Sequence, residues 1–235
     1  MTNRLLKYAA VVALTIATAH SAVAIDFSSH NISVGVKGGA SLSRVNFQSS
    51  VPQKMLPGMV LGASFRYIEE KHFGIIAEVN LEQRGWKEDF KPLEVYSYSR
   101  SLTYVQVPLL THIYFGSDKA RFFFNAGPEI GVMIGSKTSS NFDYENAASN
   151  PDFETNFRKI EQFTLPVHRK FDYGISAGLG LEVNVAPKHS INLEGRFYYG
   201  LNDVFRNHKT DPFQGSSCMS IMITLGYNIR LTSGK

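Results

Sequence analysis

Eight separate stretches of this sequence alternate apolar and polar residues with a period of two, and that period is strand geometry. The cleanest lies at 171–185. There Phe171, Tyr173, Ile175, Ala177, Leu179, Leu181, Val183 and Val185 share one face, and Asp172, Gly174, Ser176, Gly178, Gly180, Glu182 and Asn184 the other. The remaining stretches fall near 31–44, 59–68, 73–84, 104–115, 122–134, 191–201 and 219–231. No segment after Ala24 has the continuous apolar length of a spanning helix. A chain of this kind enters a membrane only as a closed barrel, because open sheet edges are not satisfied in lipid.

The connections alternate too. Long ones at 45–58, 87–100, 136–170 and 202–217 exchange with tight ones at 69–72, 116–119 and 186–189. Outer-membrane barrels have this rhythm, with short periplasmic turns and longer outer loops. The expected fold is all-β: an eight-stranded antiparallel up-and-down transmembrane barrel, OmpA/OmpX-like, with both termini periplasmic. Pro108 and Pro128 fall inside the fourth and fifth segments. Proline cannot donate to a ladder, and a closed barrel has no edge strand, so each is expected at a bulge or an unpaired site.

A soluble barrel also has alternating strands, but its apolar face turns inward. Here the other face combines many Gly and Ser with Lys37, Arg66, Glu78, Glu82, Arg84, Glu129, Glu182, Glu194, Arg196 and Arg230. That mixture suits a crowded lumen, where small residues make room for long ones. Five acids stand against five bases, and buried charges must pair. On the apolar face, Phe65, Tyr67, Phe73, Phe115, Phe122, Phe171, Tyr173, Phe197, Tyr199 and Tyr227 lie toward the strand ends, as interfacial girdles would. Thr224-Leu225-Gly226-Tyr227-Asn228-Ile229-Arg230-Leu231 is similar to the signal that barrel-assembly machinery reads on last strands, though it lacks a terminal aromatic.

The first residues read as a cleaved signal peptide, 1–24. Arg4 and Lys7 form a basic start, Tyr8 to Ala19 an apolar run, and Ala22-Val23-Ala24 a small-x-small cleavage site. The apolar run is well short of the roughly 20 residues of a spanning helix. The remaining domain, 25–235, carries a formal charge of +2 once Arg4 and Lys7 are removed from the total of +4. That is too mild for a nucleic-acid partner. Cys218 is the only cysteine, so no intrachain disulfide forms.

Gly35-Val36-Lys37-Gly38-Gly39-Ala40-Ser41 resembles the opening of the PorT-like outer-membrane β-barrel domain of Bacteroidetes. Pro57-Gly58, the stretch from Glu78 to Gly85, and Tyr104-Val105-Gln106-Val107-Pro108-Leu109-Leu110 match further pieces. So do Phe124-Asn125-Ala126-Gly127-Pro128-Glu129 and Gly178-Leu179-Gly180-Leu181-Glu182. The resemblance covers nearly all of the chain beyond the signal and makes both prolines family features. It implies fold and location more than activity. PorT itself is associated with type IX secretion, so the resemblance implies an anchor or assembly component linked to that route.

Other chemistry is weak. An eight-stranded interior is just wide enough for side chains, which argues against a diffusion pore. His112 reads as a satisfied interior histidine, and His168 and His208 as parts of basic rims suited to lipopolysaccharide phosphates. No Gly-x-Ser-x-Gly or His-Glu-x-x-His motif is present, so no enzyme and no cofactor are expected. Asp143, Glu145, Asp152 and Glu154 lack the EF-hand spacing, and a solvated loop is preferred to a calcium site. The same loop carries Phe142, Tyr144, Phe153, Phe157 and Phe163, which suggest a packed lid or a partner surface. Expected partners are outer-membrane lipid, lipopolysaccharide and secretion-machinery proteins. A narrow channel or gating barrel, and a structural membrane protein without catalytic activity, remain as alternatives.

Overall fold

The computed structural model describes residues 31–68, 72–91, 93, 95–155, 158–167, 169–206 and 211–232. The signal segment, Phe157, His168 and His208 lie outside them. The strands are β1 (Asn31–Gln48), β2 (Gln53–Lys54), β3 (Leu56–Ile68), β4 (Phe73–Glu88), β5 (Tyr98–Gly116), β6 (Ala120–Ser140), β7 (Phe171–Ala186), β8 (His189–Asp203) and β9 (Gly215–Thr232). The order β4-β3-β1-β9-β8-β7-β6-β5 closes through a β4–β5 pairing. Every pairing is antiparallel. The ring therefore has eight strands. The two-residue β2 is an accessory that pairs with the end of β4, Gln53 facing Glu88.

Three turns at one end join β3–β4, β5–β6 and β7–β8, and four longer loops at the other join the remaining strands. Asn31 faces Ile68 and Ile32 faces Thr232, so the first and last described residues meet at the turn end. Both prolines sit at interruptions of pairing with no change of register. Ala77 pairs with Leu109 and Asn80 with Gln106, leaving the β4–β5 ladder open at Pro108. Pro108 pairs with Glu129 and Thr111 with Ala126, leaving the β5–β6 ladder open at Pro128. The missing donors fall where no partner asks for them.

The eight ring strands run from 13 to 21 residues. A tilted strand needs only about 9–11 to cross a membrane. The excess lies at the loop end, and there the two faces exchange character. Across the lower part of the barrel Val36, Met59, Leu61, Val79, Leu109, Leu179, Leu193, Ile223 and Leu225 point out and are exposed. Above them the outward positions become Arg44, Asn46 and Gln48 on β1, Gln83 and Lys87 on β4, and Ser99, Ser101 and Thr103 on β5. Inward, Val45, Phe47, Trp86, Leu102 and Tyr98 replace the charges and are buried. On β6 the phase is handed over by a bulge. Tyr104 faces Met133 while Thr103 faces Gly135, so Ile134 is the extra residue.

At the turn end the outward aromatics Phe65, Tyr67, Phe73, Phe115, Phe122 and Tyr227 are spread over β3, β4, β5, β6 and β9. At the loop end they gather on β7 and β8, as Phe171, Tyr173, Phe197 and Tyr199.

Candidate functional site: the lumen and its cap

The inward face of the barrel forms tiers along its axis. The central tier is built from β1, β4 and β8. Arg196 on β8 straddles Glu78 on β4 with a two-pronged contact, Nη1 at 2.6 Å and Nη2 at 2.9 Å. It also donates to Glu194 at 2.8 Å, and Lys37 donates to Glu78 at 2.6 Å. Asn125 donates to the other oxygen of Glu194 at 2.9 Å and accepts the contact of His112 Nδ1 at 2.7 Å. Two bases meet two acids, and the fork of Arg196 matches the carboxylate plane. Charges this deep are stable only as a set. Removing one partner leaves the other buried and unpaired.

Glycines make this crowding feasible. A Cβ at Gly35 would lie 2.1 Å from Asn228 Oδ1, and one at Gly62 would lie 2.0 Å from Asn80 Oδ1. Both glycines point inward, where the long polar side chains of neighbouring strands take the space.

The tier above is organised by Arg84. Its guanidinium lies between the rings of Tyr104 and Tyr198, 4.2 Å from each centroid. It contacts Asp172 at 3.0 Å and lies 3.8 Å from Glu82 and 3.9 Å from Glu129. Tyr198 donates to Asp172 at 3.0 Å, and Ser176 to Glu129 at 2.5 Å. Aromatic faces and charge contact hold this arginine more than aligned hydrogen bonds do, since none of its guanidinium nitrogens makes one among the described residues. The tier below pairs Arg66 with Glu182 in a short, buried contact. Arg230 and Arg121 flank it at the turn-end mouth.

Nine of the ten charged residues expected in the lumen thus sit in two-partner or larger sets, and Arg230 lies at the mouth, in no ion pair among the described residues. Asp172 and Arg121 complete the lumen, and the strand pattern does not single them out. Asp172 belongs to the polar face of its segment, but its partner Arg84 is on β4, remote in sequence.

Above the Tyr104–Tyr198 layer the lumen is apolar. Phe47, Trp86, Phe205 and Phe213 form one cluster, with Phe47–Phe213 centroids 4.9 Å apart and Phe47–Trp86 edge-on at 5.5 Å. A second cluster comes from the long β6–β7 connection, which carries a 3-10 turn at Ala147–Ser149 and two short helices, α1 (Pro151–Thr155) and α2 (Glu161–Thr164). Phe142, Phe153 and Phe163 pack there with Phe90, Tyr96 and Tyr98. Phe153 and Phe163 are each 2% exposed, and Phe142 and Tyr144 are half-buried. Of the two expectations for this loop, the packing matches a lid. The four described aromatics, Phe142, Tyr144, Phe153 and Phe163, pack toward the barrel.

A buried polar node fixes the lid. Glu88 at the end of β4 accepts from Arg158 at 2.6 Å and from Gln162 at 2.6 Å, while Arg158 stacks 4.0 Å over Phe90. Arg100 donates to the Leu165 carbonyl at 2.6 Å. On the rim, Lys54 lies 3.0 Å from Asp89 and holds that carboxyl below the usual aspartate range. Asp143 is held low by the Asn146 amide, and Asp152 accepts from Tyr96 at 2.8 Å. Among the described residues, no group of three or more His, Cys, Asp or Glu is placed to hold a metal ion.

A closed antiparallel ring of eight strands with an apolar outer belt and a charged interior defines a transmembrane β-barrel of the outer-membrane class. The sequence profile of the outer membrane protein beta-barrel domain matches residues 20–206, and the chain belongs to that family of bacterial outer-membrane barrels. No curated protein matches it in sequence. Among solved structures, it is similar to OprG from Pseudomonas aeruginosa, at 11% identity and a TM-score of 0.51, over 88% of this chain and 100% of that one. Lower similarity is found to Ail of Yersinia pestis (14% identity, TM-score 0.41, 84% and 98% covered) and to Neisserial surface protein A (10%, 0.43, 84% and 97%). At these identities the likeness is one of fold.

Proposed function

We propose that the protein is a non-catalytic outer-membrane anchor whose capped loop end serves as an assembly surface, linked to type IX protein secretion as its PorT-like motifs imply. In this reading residues 1–24 are a cleaved signal peptide, the turn end and both termini are periplasmic, and the loops face outward. The observation that carries it is the filled barrel. Paired charges occupy the lumen, and a lid anchored by Glu88, Arg158 and Gln162 covers it. A narrow channel would have to cross both layers.

The outward face just above the apolar belt bears Arg44, Lys87 and Lys137, all exposed. Cations at that height suit lipopolysaccharide phosphates. The aromatic side of the lid is spent inside, so a protein partner would meet its polar outer side, where Asp143, Glu145, Asp152 and Glu161 are exposed.

The test replaces 141–169 with a short Gly-Ser linker. A barrel that still folds but loses cargo secretion and partner co-purification from native membranes supports the proposal. Unchanged secretion and co-purification overturn it. Planar-bilayer recordings of the intact protein are expected to stay at background, and steady conductance would favour the channel instead.

A further inference from the structure

We propose that the turn-end mouth of the barrel is a binding site for a phosphoryl group. A cavity of about 100 Å³ opens there, and Arg66, Arg121, Lys188 and Arg230 line it with Glu182 as the acid. These cations come from β3, β6, the β7–β8 turn and β9, so the closed ring brings together groups that are distant in sequence. The backbone fixes two of them to each other, because the Arg230 amide donates to the Lys188 carbonyl at 2.8 Å.

The charge at this mouth departs from the rest of the lumen. In the central tier Lys37 and Arg196 balance Glu78 and Glu194. In the upper tier Arg84 faces three carboxylates, Glu82, Glu129 and Asp172. Among the described residues, the only acid lining the mouth is Glu182, and it is already engaged by Arg66. Among the described residues, Arg121 forms an ion pair only with Asp118, at 3.6 Å, and that carboxylate is fully exposed to solvent. Lys188 and Arg230 form no ion pair among the described residues. Like charges held together in a partly enclosed site favour an anion between them. Guanidinium forks suit the oxygens of a phosphate in particular. Neutral partners are at hand as well. Ser190 and Asn184 line the same cavity, and Arg121 stacks 5.1 Å over Tyr114.

The same phosphoryl chemistry is offered by an anionic phospholipid headgroup of the adjoining leaflet and by a soluble phosphate compound. Both are tested on the full chain. One arm titrates inorganic phosphate and then pyrophosphate into protein in non-ionic detergent, with sodium chloride at equal ionic strength as the control. Arginine side-chain and Ser190 amide NMR shifts are the readout. The other arm compares lipid retained from nanodiscs of phosphatidylcholine alone and with phosphatidylglycerol, by native mass spectrometry.

Saturable shifts at Arg121 and Arg230 that chloride does not reproduce, weakened about tenfold in R121Q/R230Q, are expected for a soluble phosphate. Selective retention of phosphatidylglycerol, lost in the same variant, identifies the headgroup. The heat-dependent gel mobility of the variant checks that it still folds, and R230Q alone serves if the double variant does not. Shifts reproduced by chloride together with no lipid selectivity overturn the proposal.

Discussion

The lower and upper parts of this barrel obey the same alternation with opposite sign. Below, Val79 and Leu81 point to lipid while Glu78 and Glu82 fill the interior. A few residues further along the same strand, Lys87 points out and Trp86 is fully buried. Backbone geometry is continuous across the change, so the strand does not dictate which face is apolar. The solvent outside does. In lipid the polar groups must be gathered and paired within, whereas in water the apolar groups are hidden and the polar ones are turned out. The molecule joins a membrane barrel to a short water-type barrel through one set of strands.

The largest effect is expected where the lower interior loses a charge. Arg196→Ala strands Glu78 and Glu194 among one remaining base, and should cost about 3–5 kcal/mol in urea unfolding from vesicles. A loss under about 1 kcal/mol would show that the lumen is hydrated enough to tolerate it. In the upper part, Phe163→Ala should cost about 3–5 kcal/mol of lid packing. Its effect should be confined there. Protease should cut the β6–β7 connection faster while the unfolding midpoint of the barrel holds, and a matching fall of that midpoint would mean that the two parts are not separable.

The boundary itself is sharpened by a pair. Val79→Lys places a cation in the apolar belt and should cost about 2–4 kcal/mol, while Gln83→Lys, on the same strand and face, should be near neutral. Equal costs would break the assigned boundary. The smallest effect is a pH dependence at the rim. Lys54 depresses the Asp89 carboxyl, so the contact contributes fully above the ordinary aspartate pKa and fades only as pH falls through the lowered value. Amide protection at Gln53 and Lys54 should therefore survive mild acid, and its loss already near the ordinary value would remove the pairing.

Much of this architecture is legible in the amino-acid sequence. The ring of eight, the order of long and short connections and the inward placement of nine paired charges follow from period-two patterning. The segments 171–185, 191–201 and 219–231 come close to β7, β8 and β9. The outer ends of β1, β4, β5 and β6 are different, because the pattern assigns them to loops for a physical reason. Val45, Phe47, Trp86 and Leu102 are apolar on the inward face, which breaks the rule that holds below them. Asp172 stands on the polar face of its segment in the sequence, but its pairing with Arg84 on β4 is not legible there, because pattern reading sees only one strand at a time. The loop aromatics are plain in the sequence, but their direction is not, since sequence does not tell a lid from a docking surface.

The cluster of Phe47, Trp86, Phe205 and Phe213 draws on β1, β4 and the β8–β9 connection, so it joins the first part of the chain to the last. Its two halves, Phe47 with Trp86 and Phe205 with Phe213, come together only once β9 has met β1. During assembly the cap is then a late event, and its completion is a built-in signature of closure. A ring stalled one strand short would expose these rings at the surface, where quality-control proteases recognise unfinished work.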